Sequence, residues 1–187
     1  MFAAEKGIAL PTQDISLIRR EHKSADYLAI NPRGQTPALV LDDGTAIAES
    51  VSICRYLEAV QPEPPLFGTH PAGMARIDMW IRRVEQVLGA AVGAVWVHTH
   101  PLTAAVVPER FTDYGESNRP KAIAGMAMCD ETLAKTAYIA GDDYSAADIM
   151  LLATIDFAGF IGIPVPDDML HLKDWHKRVS ARPSAAA

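Results

Sequence analysis

A small α/β domain followed by an all-helical domain is the fold class that this 187-residue sequence predicts. Three observations carry the prediction. Two short apolar runs flank Asp42-Asp43-Gly44, and Asp-Gly between such runs is a strong hairpin signal. Gln61 to Pro71 holds four prolines in eleven residues, a density that neither continues a helix nor pairs in a central strand. Beyond that break, apolar residues recur only at helical spacing. The expected division is residues 1–61 for the α/β domain, 62–73 for a Pro-rich linker and 74–187 for the helical domain.

Taken in order, Met1 to Lys6 reads as the end of a helix stopped by Gly7. Ile8 to Leu17 alternates loosely and is expected as a strand with Pro11 near its edge. A polar, weakly helical stretch, Arg19 to Leu28, closes in the turn Asn31-Pro32-Arg33-Gly34. Thr36 to Leu41 and Thr45 to Ala48 are the two arms of the hairpin. Val51, Ile53, Cys54, Leu57 and Val60 then follow at helical spacing, with Ser50 where an N-cap belongs.

After the linker, Met74 to Val97 places Ile77, Trp80, Ile81, Val84, Val87, Leu88 and Ala91 on one face and turns apolar all round near its end, as a buried helix does. Arg119 to Ala137, Ser145 to Gly159 and Asp174 to Arg182 complete the helices, the last with Trp175 and Val179 inward. Ser145-Ala146-Ala147-Asp148 is a capping-box variant, in which the hydroxyl accepts from the Asp148 N–H and the carboxylate reaches back to the N–H of Ser145. That motif alone predicts that Asp148→Ala costs ~1–2 kcal/mol of stability.

Composition removes several classes of function. The net charge is −6, with −3 on residues 1–66 and −3 on residues 67–187, so no basic face is left for a phosphate backbone and nucleic acid is not an expected partner. The longest apolar or glycine run, Val87 to Val97, falls short of the ~20 residues that cross a bilayer, so no membrane association is expected. The opening residues lack a basic n-region, and a cytoplasmic location is expected. Cys54 and Cys129 are too few for a disulfide framework and lack a Cys-x-x-Cys pair; they read as reduced, buried thiols. His98-Thr99-His100 has no clustered Cys or carboxylate partner and no metal is assigned to it. Trp96, His98, His100 and Leu102 are instead candidates to line a pocket.

The segment from Asn31-Pro32-Arg33-Gly34-Gln35-Thr36-Pro37 through Asp42-Asp43-Gly44 and Glu49-Ser50 to Tyr56-Leu57-Glu58 resembles the cytosolic glutathione transferases. The opening Ala4-Glu5-Lys6-Gly7-Ile8 and Glu21-His22-Lys23-Ser24 look like the bacterial, theta-like and beta-like members. The resemblance implies a thioredoxin-like N-terminal domain that binds glutathione and an all-helical C-terminal domain that lines the electrophile site. It also implies a homodimer, a role in detoxification, and a structural role for Ser145 and Asp148.

For the binding site, the resemblance implies a cis bond before Pro37, the only kind of peptide bond that takes that form at little cost. The backbone N–H and C=O of Thr36 then face outward and pair with the cysteinyl unit of glutathione as an added strand. Glu49 and Ser50 stand at a helix start, where unpaired N–H groups and the dipole favour an anion. Ser50 suits the γ-glutamyl carboxylate and Glu49 its ammonium; read without the family, Ser50 is equally an N-cap and Glu49 a solvated charge. In theta-like members, residues at the positions of His22 and Lys23 hold the glycyl carboxylate, and a solvated helix face is the other reading.

Transfer needs the thiolate of a thiol whose free pKa lies near ~8.5. The family supplies a Tyr or Ser hydroxyl, or a Cys, at the end of the first strand or the start of the first helix. That position falls before Phe2, so the catalytic residue is unknown, the first strand is absent, and the natural protein is expected to start upstream of Met1. In this family the first strand lies between the second and third, so Ile8 to Leu17 would lack its neighbour. Glutathione conjugation to an electrophile, or peroxide reduction with glutathione, is the leading expectation; the alternative is an inactive dimerisation or docking module.

Overall fold

The computed structural model describes residues 1–186. The chain divides into two compact units, Phe2–Pro65 and a second that holds Met1 and the residues from Leu66 onward.

In the first unit, helix α1 (Phe2–Glu5) ends in a left-handed Gly7, φ 64°, whose N–H reaches Ala4 O while Ile8 N–H reaches Ala3 O. This paired closure of a helix C-terminus needs a positive φ, which glycine adopts freely. A short 3₁₀ turn (Glu21–Lys23) leads into α2 (Ala25–Ile30), capped by Ser24, whose hydroxyl accepts from Tyr27 N–H at 3.2 Å. Strands β1 (Ala38–Val40) and β2 (Ala46–Ala48) pair antiparallel with Leu39 opposite Ile47. Gly44, φ 86°, and the Asp43 carboxylate on Thr45 N–H close the hairpin, and that bond with the Thr45 hydroxyl holds the Asp43 carboxyl below its ordinary value. Helix α3 (Ser50–Val60) follows at once.

The expected strand at Ile8 to Leu17 does not form: the segment is irregular, and β1 and β2 are the only strands among the described residues. A strand exists only as half of a ladder, and no described segment pairs with this one. Its serine instead meets a carboxylate, Ser16 N–H donating to Glu21 Oε2 at 2.6 Å, while Glu21 N–H donates to Ser16 O at 3.0 Å.

Lys6 ties the ends of this unit together. Its ammonium is buried, pairs with the Glu58 carboxylate of α3, donates to Pro62 O at 3.0 Å and Pro64 O at 2.5 Å, and lies 5.8 Å from the centroid of the Phe2 ring. The proline-rich stretch is therefore anchored rather than loose over Pro62 to Pro64.

In the second unit, the expected helix Met74 to Val97 is a longer run made of α4 (Pro71–Arg83), a π-helical turn (Val84–Gly89) and α5 (Ala90–Thr99). His70 caps it, its Nδ1 accepting from Gly73 N–H at 3.2 Å. The π turn spends one extra residue and keeps Val84, Leu88, Val92 and Val95 buried together.

Helix α6 (Thr112–Leu133) starts seven residues before the expected Arg119 and carries Pro120 in its interior. Gly115 and Pro120 read as breakers in isolation, but packing overrides propensity here. A Cβ on Gly115 would come within 2.5 Å of Thr99 Cγ2, and one on Gly125 within 3.2 Å of Leu88, so both glycines let α6 close on the α4–α5 run. Helix α7 (Ala146–Phe160) begins at the Ser145–Asp148 capping box. Helix α8 (Leu170–Ser180) starts four residues before the expected Asp174 because a side chain of another helix caps it: Asp130 of α6 accepts from Leu172 N–H at 2.8 Å.

The core of the helical unit centres on Asp148. Its Oδ1 accepts from Ile139 N–H (3.0 Å) and Trp175 Nε1–H (2.9 Å), and its Oδ2 from the N–H and hydroxyl of Ser145 (both 3.1 Å). Burial pushes this carboxyl upward, and the donors from Ile139, Trp175 and Ser145 pull against that push. No helix among the described residues is long and apolar enough to cross a membrane.

Candidate functional site

The turn after α2 is built to hold one backbone segment in place. Asn31 closes it, its Oδ1 accepting from Arg33 N–H at 3.2 Å while its carbonyl accepts from Gly34 N–H at 2.8 Å. Gly34, φ 57°, is buried, and a Cβ there would stand 2.7 Å from His22 O and 2.8 Å from Lys23 Nζ. The next carbonyl, of Gln35, takes two donors, the Tyr27 hydroxyl at 2.8 Å and Asn31 Nδ2 at 2.7 Å. Past this doubly pinned group comes the Thr36–Pro37 bond, which is cis, and then β1. Thr36 and Pro37 are exposed.

His22 and Lys23 sit on the 3₁₀ turn behind the same loop. Lys23 Nζ donates to Arg33 O at 3.1 Å and Gly34 O at 2.8 Å, which leaves one of its three N–H groups outward. The Nδ1 of His22 is buried without a hydrogen-bond partner.

The expected N-cap differs by one residue. Ser50 is the first helical residue of α3, and Glu49 occupies the cap with φ 69° and ψ 119°, a backbone conformation that a non-glycine residue holds only when its surroundings impose it. No side chain caps α3, so the N–H groups of its first turn remain open beside the exposed Ser50. Arg33 Nη1 reaches Glu49 Oε1 at 3.3 Å, an exposed pair worth well under ~1 kcal/mol that nevertheless links the turn to the helix start. Local motif reading missed Tyr27, Asn31 and Arg33, whose work is to position this edge; the Asn-Pro-Arg-Gly turn was the signal available for Asn31 and Arg33.

The four pocket candidates of the helical unit separate. Trp96 lies 4.6 Å from the His100 ring, 5.3 Å from Phe157 and 6.1 Å from Phe160, and His100 stacks on Phe160 at 5.7 Å. His98 instead meets Phe111 at 5.8 Å and Tyr114 at 5.4 Å. Leu102 is exposed. Both histidines use Nδ1 to accept a backbone N–H, from Phe111 and Leu102 respectively.

Neither cysteine is placed for thiol chemistry. Burial pushes Cys54 up to about 11 and Cys129 up to about 12. At pH 8 the Cys54 thiolate fraction is then ~0.1%, so native protein is expected to leave both thiols unmodified by Ellman's reagent over minutes, and to expose both after unfolding in guanidinium. Raised thiol values mean that the unfolded chain loses these protons first, so stability should decline as pH climbs from ~9 toward the folded values. Rapid labelling of the folded chain at pH 7.5 would contradict both statements.

A two-unit chain with a small α/β unit, a cis-proline loop, an uncapped Glu-Ser helix start and a helical bundle fits the architecture of the thiol-transferring enzymes with a thioredoxin-like domain. Comparison with known proteins agrees. The family described as "Glutathione S-transferase, N-terminal domain" matches residues 1–60, and "Glutathione S-transferase, C-terminal domain" matches residues 96–183. Glutathione S-transferase 2 of Saccharomyces cerevisiae is 37% identical over 187 residues, covering 97% of this chain and 79% of the yeast protein. The structure of a glutathione S-transferase domain-containing protein from Marinobacter aquaeolei superposes with a TM-score of 0.94 at 36% identity, covering 98% of this chain and 91% of that one. A glutathione S-transferase-I bound to lactoylglutathione gives 0.81 at 26% identity, covering 99% and 88%. The chain belongs to the glutathione S-transferase family. Membership makes glutathione the co-substrate and an electrophile its partner, and relatives that bear transferase names do not favour the inactive docking module. Those relatives come from yeast, bacteria and plants and single out no class.

Proposed function

We propose that this chain binds glutathione along the edge formed by residues 22–23, 36–37 and 49–50 and serves transfer of its thiol sulfur to an electrophilic carbon. Sulfur forms the new bond to carbon, the leaving group departs with its electron pair, and the thiol proton goes to solvent. One observation carries the reading: the open, uncapped start of α3 is linked through Glu49–Arg33 to the loop whose pinned Gln35 carbonyl precedes the cis Thr36–Pro37 bond.

In this reading Thr36 offers its backbone N–H and C=O to the cysteinyl unit, with Pro37 fixing their direction. The first N–H groups of α3 and the Ser50 hydroxyl take the γ-glutamyl carboxylate. Glu49 takes the ammonium on its oxygen not engaged by Arg33, and Lys23 with His22 takes the glycyl carboxylate. Titration calorimetry tests it. Glu49→Ala and Ser50→Ala are each expected to weaken glutathione binding about tenfold, on the order of one charge-assisted hydrogen bond, without lowering the melting temperature by more than a few degrees. No heat from the folded wild type would sink the assignment.

The proposal extends to a homodimer in the cytoplasm with a detoxifying role. Met74, Met79 and Val87 are exposed along α4 and its π turn, apolar surface that a second copy would cover. Sedimentation at twice the chain mass is the expected result.

A further inference from the structure

We infer that the cavity between α7 and α8 binds a free amino acid with an apolar side chain, its ammonium on Asp156, its carboxylate on Lys173 and its side chain against Ile155 and Val165. Every residue of this site lies in the helical unit, and the inference stands apart from the glutathione reading.

The cavity follows from how α7 ends. Gly162, φ 80°, closes the helix: its N–H reaches Gly159 O at 3.1 Å, and Ile163 N–H reaches Ala158 O at 2.8 Å. That closure returns the chain, so Pro164 and Val165 line one cavity of about 340 Å³ with Ile155 and Gly159 of α7. Benzene fills an engineered cavity of ~150 Å³, and small-molecule sites begin at ~300 Å³, so the space suits one ring or branched chain with a short polar head. Gly159 keeps it open. Glycine weakens a helix, and at Gly115 and Gly125 close packing demands it, but a Cβ on Gly159 would meet nothing within 4 Å. What its missing side chain leaves is cavity rather than a helix contact.

The polar rim carries both signs of charge with capacity to spare. Lys173 and His176 stand one turn apart on α8 and so share a face. His176 Nε2–H donates to Asp156 Oδ1 at 2.6 Å, and Lys173 pairs with Asp167 of the loop before α8. Asp156 Oδ2 has no hydrogen-bond partner among the described residues, and two of the three Lys173 N–H groups are likewise unspent among them. An acid alone would set its charge beside Asp156, and an amine alone would set its charge beside Lys173. A zwitterion satisfies both, its ammonium donating to Asp156 Oδ2 and its carboxylate accepting from Lys173, each a charge-assisted hydrogen bond. Asp167 is a weak competitor for that ammonium, because its side chain is fully exposed and an exposed pair contributes little.

Saturation-transfer NMR on the full chain tests this with L-phenylalanine, with 3-phenylpropionate, which lacks the ammonium, and with phenethylamine, which lacks the carboxylate. Wild type is expected to bind phenylalanine saturably with a Kd of about 0.1–1 mM, and each single-charge probe about tenfold more weakly. Asp156→Asn should weaken phenylalanine about tenfold without weakening 3-phenylpropionate, and Lys173→Met should weaken it about tenfold without weakening phenethylamine. Gly159→Leu places a good helix former in open space, and should fold as wild type and lose binding of all three probes. No saturable binding of phenylalanine by wild type, equal affinity for the three probes, tighter binding of either single-charge probe, or unchanged binding in Gly159→Leu would each overturn the inference. If a charge variant does not fold, the wild-type ranking of the probes and Gly159→Leu decide.

Discussion

Asp148→Ala is expected to cost the helical unit on the order of 4 kcal/mol, more than the capping box alone implies, because its carboxylate serves two partners far from the box. Truncation strands the N–H of Ser145, the N–H of Ile139 and the indole N–H of Trp175, the last 27 residues away and fully buried. Each buried donor left without an acceptor costs ~1–3 kcal/mol, and the lost cap adds ~1, against a total stability of ~5–15. Asp148→Asn separates the contributions. Its single carbonyl oxygen can still serve Ile139 and Trp175, but its amide then faces the Ser145 donors, so an intermediate loss is expected. Urea unfolding followed by far-ultraviolet dichroism measures both variants. A loss below ~1 kcal/mol for the alanine variant would reduce Asp148 to an ordinary helix cap.

Local chemistry explains what was readable in advance and what was not. The hairpin at Asp42-Asp43-Gly44 and the Gly7 helix stop were legible because a tight turn or a helix C-terminus is specified by the few residues that form it. The start of α8 was not, since its cap, Asp130, lies 42 residues earlier in another helix. The expected start of α6 at Arg119 fell seven residues late, and Gly115 in the added turns is where Thr99 comes closest, so a residue that weakens a helix in isolation is the one its packing requires. Ile8 to Leu17 carries a strand-like pattern, but pattern cannot reveal whether a ladder partner exists.

The binding edge divides the same way. Thr36, Pro37, Glu49 and Ser50 stood out through a resemblance concentrated in contiguous motifs. The pinning of Gln35 by Tyr27 and Asn31, and the reach of Arg33 to Glu49, depend on turns bringing side chains together across gaps of up to sixteen residues. The edge-on contact of Trp96 with Phe157 lies further still from local reading, because it joins two helices sixty residues apart in the chain.

Lys6→Met should unfold or severely loosen the unit Phe2–Pro65, with an expected loss of ~3–5 kcal/mol, the usual consequence of removing one partner from a buried ion pair. The lysine side chain is 0% exposed and the Glu58 side chain 17%, so little water is at hand to replace the ammonium. Methionine fills much of the same volume, and the loss is therefore one of charge and hydrogen bonds: Glu58 keeps its negative charge without this cation, and the carbonyls of Pro62 and Pro64 lose their donor. The two carbonyls belong to residues that contribute no N–H of their own, so the chain cannot rearrange locally to satisfy them. The double variant Lys6→Met, Glu58→Leu removes both charges together and is expected to recover more than half of the loss, since an apolar pair of similar size is often no worse than a buried salt bridge. Hydrogen exchange at the amides of Gly7 and Ile8, which close α1, reports the unit directly. If the single variant exchanges no faster than wild type, or the double variant fares worse than the single, Lys6 is held by packing and the ion pair contributes little.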